Sequence, residues 1–332
     1  MAKTALVTGA SGFTGGYMVE NLLDHGYKVR AFVRNTSNTD ELKKLPVELA
    51  YGDICSLPEV ESAMKDVDIV FHIAALYRAA NLPDKAYEDV NVTGTENILK
   101  AALNNKVKRV VYCSTVGVHG HVKNPPACET APMNPGDIYQ VTKVEAEKLV
   151  MEYYRLKKLP VTIVRPSGIY GPGDLRMLKM YRMVEKKRFL MLGSKDPYYH
   201  LTFVTDIVEG FRLAGESPNA LGQAYVIAGD GYSTLKQFAQ TIADDLGIKF
   251  SVIKLPLWPV YFLGFLCEKI CIPLRIQPPI FRRRVDIYLK DRAFDISKAK
   301  KELGFQPQVD IRDGIHRTAE WYIKEGYLKP RN

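Results

Sequence analysis

The chain has 332 residues, of which 46% are hydrophobic and 25% charged. That balance belongs to a globular protein and excludes a disordered, collagen-like or disulfide-scaffold chain. The 46 Lys and Arg against 37 Asp and Glu leave a formal charge of +9, which suits nucleic acid, a membrane surface or a phosphate-bearing ligand without choosing among them. The five cysteines, Cys55, Cys113, Cys128, Cys267 and Cys271, include no Cys-x-x-Cys. A reducing compartment without a structural metal is the simpler expectation. No signal peptide is expected, because a strand-like run begins at Lys3.

Short β-branched runs alternate with amphipathic stretches. Thr4–Val7 reads as a strand and Phe13–His25 as a helix. Lys28–Val33 and Val47–Tyr51 read as strands, followed by a short helix at Pro58–Lys65. Asp68–His72 is a fourth strand, Asp84–Asn104 a long helix, and Arg109–Cys113 a fifth strand. Ile138–Lys158 reads as a helix and Val161–Arg165 as a sixth strand. This order predicts an α/β fold with a Rossmann-type, doubly wound parallel sheet. After Gly171-Pro172-Gly173 the rhythm changes. Residues 1–172 are expected to form the sheet domain and 173–332 mainly a smaller, interleaved C-terminal substrate domain. A helix near Thr202–Ala214 and a strand near Ala224–Ala228 would rejoin the sheet within 200–228.

The first strand runs into Gly9-Ala10-Ser11-Gly12-Phe13-Thr14-Gly15. Glycine at the first, fourth and seventh places permits a tight turn, close approach of a pyrophosphate, and close helix–strand packing. The following helix then offers free N–H groups to phosphate. Such a pattern is weak alone; its place between a strand and a helix strengthens it. The second strand ends at Arg34, where many NAD-binding folds carry an acid. Arg34, with Lys43 or Lys44 as helpers, suits the 2′-phosphate of NADP. NAD, with Arg34 simply solvated, is the alternative.

The fifth strand ends in Ser114-Thr115, a hydroxyl pair at the ligand edge of the sheet. Tyr139 and Lys143, spaced i and i+4, share one helix face. An ammonium beside a phenol lowers a pKa that starts near ~10. Tyr139 is therefore a candidate proton donor or acceptor for an alcohol/ketone pair, with Thr115 bonding the same oxygen. The same spacing recurs at Tyr153/Lys157, Tyr154/Lys158 and Tyr232/Lys236. Tyr153 lies roughly 21 Å further along the helix, toward the opposite edge. Tyr232 precedes a probable cap at Ser233-Thr234 and falls outside the helix that holds Lys236.

Together these residues resemble the extended short-chain dehydrogenase/reductase family, the NAD-dependent epimerase/dehydratase-like group. The likeness rests on the glycine loop, Gly52-Asp53-Ile54, His72-Ile73-Ala74-Ala75, Asn91-Val92-Thr93-Gly94-Thr95, Ser114-Thr115, Tyr139/Lys143 and Arg165-Pro166-Ser167-Gly168-Ile169-Tyr170-Gly171-Pro172-Gly173, in that order. It implies that Gly9, Ser11, Gly12, Phe13, Thr14 and Gly15 hold the cofactor. It implies that Asp53 and Ile54 flank the adenine and that Ala74 and Ala75 line the cofactor's centre. Asn91 would be a cofactor-side residue, with Ser114, Tyr139 and Lys143 beside it, and Lys143 would bond the nicotinamide ribose. Pro166, Ser167, Gly168 and Ile169 would border the nicotinamide. The alternative reading takes Asp53 as a turn-capping carboxylate and the alanines as plain packing.

Sugar-nucleotide epimerases of the family carry an arginine where this chain has Tyr199-His200, before Thr202-Phe203-Val204-Thr205-Asp206. The segment is closer to the 3β-hydroxysteroid dehydrogenase and dihydroflavonol reductase branch. The expectation is an NAD(P)-dependent oxidoreductase acting on CH–OH groups of a mostly apolar small molecule, steroid-, flavonoid- or long-chain keto-acid-like. Tyr77, Arg78 and Tyr199 are the candidate substrate contacts, and His200 is expected at the surface. The alternatives are a sugar-nucleotide epimerase/dehydratase and a non-catalytic cofactor sensor. The family implies a homodimer. The apolar run Leu255–Leu266, with Lys269, Arg275 and Arg282-Arg283-Arg284 after it, is too short to span a bilayer. It reads as a core helix with Cys267 and Cys271 buried, as a pocket wall, or as a peripheral membrane contact within 255–284, where each basic residue adds about 1 kcal/mol on an anionic surface. Nucleic acid is not expected. The expected location is the cytoplasm, with the inner face of a membrane as an option.

Overall fold

A computed structural model describes residues 2–77, 82–271, 274, 276, 285 and 288–330. Arg78, Arg275 and Arg282–Arg284 lie outside the described residues. The sheet domain opens with β1 (Thr4–Thr8), α1 (Phe13–Asp24), β2 (Lys28–Val33), β3 (Glu48–Tyr51), α2 (Leu57–Met64) and β4 (Ile69–His72). Next come α3 (Asp84–Glu88), α4 (Gly94–Asn104), β5 (Arg109–Cys113), α5 (Ile138–Lys157), β6 (Val161–Pro166) and β7 (Gly168–Tyr170). The long helix expected over 84–104 is interrupted. Asp89–Thr93 widens into a π-helical turn between α3 and α4, a device frequent at functional sites.

The remainder comprises α6 (Leu178–Glu185), β8 (Arg188–Leu192), β9 (Tyr198–Tyr199), β10 (Leu201–Phe203), α7 (Val204–Glu216) and β11 (Ala224–Ile227). It continues with β12 (Ser233–Thr234), α8 (Leu235–Asp245), β13 (Ser251–Leu255), α9 (Leu257–Cys271), α10 (Ser297–Leu303) and α11 (Ile311–Lys324).

Seven strands form the main sheet in the order β11-β6-β5-β4-β1-β2-β3, and every pairing is parallel. Burial on both faces explains the unbroken apolar runs of these strands. Side chains alternate between two cores: Ala5 and Val7 of β1 join the face covered by α1 and α7. Leu6 joins the face covered by α2, α4 and α5. β1 lies between β2 and β4, so the strand order reverses there, and a crevice opens at the carboxyl ends of these strands. β11 returns to the sheet beside β6 after the chain has passed through α6 and β8.

A buried ion pair braces α5 against β6. Arg165 donates from Nε to Glu147 Oε1 at 2.9 Å and from Nη2 to Oε2 at 2.6 Å. Its Nη1 donates to the Glu129 carbonyl at 2.8 Å. Both side chains are almost fully buried. The apolar run, by contrast, does not become a core helix: in α9 only Gly264 is buried, and Cys267 and Cys271 are half-exposed. The run is apolar all round, the pattern of an enclosed helix, yet the fold leaves most of it exposed.

Removing one member of a buried pair strands the other charge without a partner. Glu147→Ala should therefore cost about 3–5 kcal/mol of stability. Glu147→Gln, which keeps an acceptor for one guanidinium N–H, should cost less. Urea denaturation with a fixed slope would measure both.

Candidate active site

The turn that ends β1 is dictated by backbone crowding. Gly9 sits at φ +72°, and a Cβ there would lie 2.9 Å from the Ala74 backbone. A Cβ on Gly15 would lie 2.0 Å from the Gly9 carbonyl oxygen, so α1 packs against the loop backbone directly. Gly12 precedes the first turn of α1, and its N–H donates to the Gly9 carbonyl at 2.9 Å.

Above this turn lies a cleft of about 600 Å³. It gathers Gly9, Ser11, Gly12, Phe13, Thr14 and Gly15 of the loop with Arg34, Asp53 and Ile54 at one end. Ala74, Ala75 and Tyr77 follow β4, and Ser114 and Thr115 follow β5. Tyr139 and Lys143 come from α5, Pro166 and Ser167 from the end of β6, Gly168 and Ile169 from β7, and Tyr199 from β9. Asn91 is not on this wall. It is 1% exposed, and its amide holds the backbone of Leu76, accepting from N at 2.8 Å and donating to O at 3.2 Å. Nδ2 also donates to Thr142 Oγ1 at 3.0 Å.

Arg34 shares its end of the cleft with Ser37. Lys43 and Lys44 are not lining residues; Lys44 pairs with Glu41 at 2.7 Å. Asp53 both lines the cleft and caps its own turn, accepting from the Cys55 N–H at 2.9 Å. Thr115 Oγ1 accepts from the Gly117 N–H at 3.0 Å, which leaves its hydroxyl proton free to donate. Ser114 Oγ is buried and has no partner among the described residues. Lys143 is 1% exposed; its ammonium donates to the Cys113 carbonyl at 2.6 Å and lies 4.6 Å from the Tyr112 ring centre. Burial pulls its pKa below the usual lysine range, against the opposing pull of Cys113 and Glu147. Tyr139 opens α5 just after its cap, where the Asp137 carboxylate accepts from the Gln140 N–H at 2.9 Å. The Tyr77 ring stands edge-on to Tyr139, 4.9 Å between centres.

The other Tyr-x-x-x-Lys pairs are elsewhere. The Tyr154 ring fills the space beside Gly222, and Tyr153 packs on the α2–α4–α5 core. Thr234 caps α8 reciprocally with Gln237, which leaves Tyr232 outside that helix.

Two histidines tie the cleft's walls together. His200 is buried, contrary to the expectation of a surface residue: at 3% exposure its Nε2–H donates to the Gly229 carbonyl at 2.9 Å, and Nδ1 accepts from the Phe294 N–H at 3.3 Å. It joins the start of β10 to the segment before α10. Burial holds its pKa low. His72, at the end of β4, belongs to a chain with one allowed proton order. Thr95 Oγ1 donates to the Asn91 carbonyl at 2.7 Å, so it accepts from His72 Nε2–H at 3.0 Å. Nδ1 then accepts from Thr8 Oγ1–H at 2.8 Å, and Thr8 Oγ1 accepts from the Ala74 N–H at 3.2 Å. Burial, with Lys143 nearby, depresses the His72 pKa to about 3, so the neutral tautomer persists. The chain of bonds links the glycine turn to Asn91, and through Asn91 to Tyr77 and α5.

Several cleft residues had no sequence signal. Arg176 lines the cleft beside Phe13 and Tyr77, held by Asp174 Oδ1 at 2.7 Å and the Ile169 carbonyl at 2.9 Å. Its guanidinium carbon lies 5.6 Å from the Phe13 ring centre and 5.8 Å from that of Tyr77. Arg292 and Phe294 also line the cleft. Arg176 follows Gly171-Pro172-Gly173, whose turn could have marked a return over the cleft; Arg292 and Phe294 belong to no local pattern.

The bare glycine backbone, the unpartnered Ser114 hydroxyl and the cation at one end fit a dinucleotide. Among the described residues no group of three or more His, Cys, Asp or Glu could hold a metal ion.

His72→Gln keeps a donor for Thr95 but withdraws the acceptor from Thr8. His72→Asn does the reverse. If the Thr8 link sets the glycine turn, the Gln variant should raise the cofactor KM by roughly tenfold, the worth of one buried hydrogen bond. The Asn variant should stay near wild type, with kcat little changed in both. Steady-state kinetics and cofactor titration would check this; equal rises in the two variants would remove the assignment.

The profile of the NAD dependent epimerase/dehydratase family matches residues 5–228. The short-chain dehydrogenase/reductase family 42E member 1 of Xenopus laevis is 31% identical over 98% of this chain and 90% of that protein. The 3beta-hydroxysteroid-dehydrogenase/decarboxylase isoform 1 of Arabidopsis thaliana is 30% identical over 99% of this chain and 81% of that one. Among solved structures, gox2253 superposes with a TM-score of 0.83 at 30% identity, covering 98% of this chain and all of that one. With the glycine turn, the parallel sheet and the Tyr139/Lys143 helix, these likenesses show that the chain belongs to the NAD dependent epimerase/dehydratase family, as an NAD(P)-dependent dehydrogenase of the Rossmann type.

Proposed function

We propose that the protein interconverts a hydroxyl and a keto group on a mostly apolar small molecule. The observation that carries this reading is the gathering of Tyr139, one helical turn from the buried Lys143, into one cleft with the Ser114-Thr115 hydroxyls. The nicotinamide cofactor, when bound, supplies the hydride donor or acceptor. Tyr139 passes the proton to or from the substrate oxygen. Thr115, its Oγ1 acceptor site taken by Gly117, directs its own proton to that oxygen. Lys143 supplies positive charge that favours the phenolate and bonds the nicotinamide ribose. Gly9 to Gly15 and the start of α1 hold the pyrophosphate, Asp53 and Ile54 flank the adenine, and Ala74, Ala75 and Pro166 to Ile169 border the rest. Asn91 acts one step back, by fixing Leu76.

The rings of Phe13, Tyr77 and Tyr199 support an apolar substrate, as do relatives named for steroids. Arg176 and Arg292 beside them favour a substrate with an acidic group. The same guanidinia favour a second reading, a sugar-nucleotide epimerase/dehydratase that retains its NAD. Residues 173–332, apart from the returning part of 200–228, are the proposed substrate region, and a homodimer through the α3–α4 segment (84–104) and α5 the proposed assembly. Among the described residues no helix is long and apolar enough to cross a membrane. The proposed location is the cytoplasm, peripheral on the inner face of a membrane.

Tyr139→Phe should lower kcat by about 10²-fold or more, the usual scale for losing a general acid–base, and leave cofactor binding intact. Purified protein with NADPH and hydrophobic ketones, followed at the nicotinamide absorbance, gives the measurement. Full turnover in the variant would refute the role. Epimerisation of a sugar nucleotide without added cofactor would instead select the second reading.

Arg34, with the Ser37 hydroxyl beside it, carries the preference for NADP. Arg34→Ala should raise the KM for NADPH by roughly tenfold, through loss of a charge-assisted bond. The KM for NADH should move little. Equal effects on both would leave Arg34 without a role in the choice.

A further inference from the structure

Helix α9 exposes what other helices bury. Trp258 is 74% exposed, Ile270 59% and Phe262 53%. At 3.6 residues per turn, the exposed side chains run from Tyr261 through Trp258 and Phe262 to Leu263, an arc of about 200°. The surface continues through Pro256 onto the β8–β13 pair. Leu190 faces Ile253 there, both exposed, with Leu255 next on that face. Such a patch marks an interaction site.

Charge narrows the partner. Residues 186–192 and 249–271 carry Lys186, Lys187, Arg188, Lys249, Lys254 and Lys269, all exposed, and one acid, Glu268. Lys269 stands on the exposed arc itself, 5.9 Å from the Phe265 ring centre. A two-fold contact with a second copy would set this patch against itself and bring like charges together. It would also cover only one side of the helix. A helix of 15 residues reaches about 22 Å, short of the roughly 30 Å hydrocarbon core. It can lie in a bilayer surface but not cross it.

We propose that α9 beds into the surface of an anionic phospholipid bilayer. The side chains from Tyr261 round to Leu263 enter the boundary of the acyl layer, and Lys269, with Arg188 on the Leu190–Ile253 face, meets the phosphates. This rests on the reading of the protein as one that works at a membrane face, and it names the lipid and the residues that meet it. An apolar substrate would partition into the same layer.

The test uses the full chain. Trp258 is one of two tryptophans; the other, Trp321, packs on Tyr322 and Tyr327. In a Trp321→Phe background, Trp258 emission reports on lipid contact. Vesicles of phosphatidylcholine with a minor fraction of phosphatidylglycerol should shift the emission to the blue and sediment the protein. Pure phosphatidylcholine should bind it roughly tenfold more weakly. Arg188→Glu with Lys269→Glu should erase that difference, and Trp258→Ser with Phe262→Ser should abolish sedimentation on both. Turnover of a water-soluble ketone should be unchanged in these variants, so lipid binding can fail while the catalytic reading stands. Absence of sedimentation, or equal sedimentation on both vesicles, would overturn the proposal. So would self-association, seen by light scattering, that Phe262→Ser removes.

Discussion

The structure turns on one contact between backbones. The first residue of the β1 turn and the third of α1 meet with no room for a side chain: a Cβ at Gly15 would lie 2.0 Å from the Gly9 oxygen. This crossing fixes how α1 leaves the sheet. It aims the free N–H groups of the helix at the crevice where the strand order reverses. A Cβ at Gly9 would strike Ala74, so the same turn also sets the distance between β1 and the segment after β4. The cleft has its width because two glycines have no side chains.

The turn is held in register by polar groups that water does not reach. The Thr8–His72–Thr95 bonds run beneath the glycine loop and end at the π-helical turn that presents Asn91. Asn91 grips both backbone groups of Leu76 and the hydroxyl of Thr142, which neighbours Lys143. A directional chain of this kind cannot reverse one bond without breaking the next, because Thr95 has already given its proton to a carbonyl. The glycine loop and the helix that carries Tyr139 are thus parts of one frame. The Arg165–Glu147 pair braces the far side of α5 in the same manner, at the cost of burying two charges.

The sheet was legible because burial on both faces leaves unbroken β-branched runs, and because helices must alternate with strands in a parallel sheet. The glycine loop, Ser114-Thr115 and the Tyr139/Lys143 spacing were legible because their chemistry is local: neighbours in sequence are neighbours in space. Residues that act across the fold were not. Asn91 looked like a cofactor residue, yet its amide is spent on Leu76, fifteen positions away. His200 looked like a surface residue, yet Gly229 and Phe294 close over it. Arg176 and Arg292 reach one cleft from segments that share no periodicity. Helix α9 misled for another reason: an apolar run records only that water is avoided, and a core and a lipid layer both satisfy that.

The return of β11 bears on synthesis. β6 is complete when residue 166 has left the ribosome, but its outer neighbour comes from Ala224–Ile227. Until then the edge of β6 presents unpaired N–H and C=O groups, and α7, which covers β4, β5 and β6, is complete only at Glu216. A nascent chain therefore carries an open sheet edge for nearly sixty residues, the condition in which strands pair with wrong partners. The interleaving that builds the C-terminal region onto the sheet thus makes the newborn chain dependent on finishing that excursion before its first domain is closed.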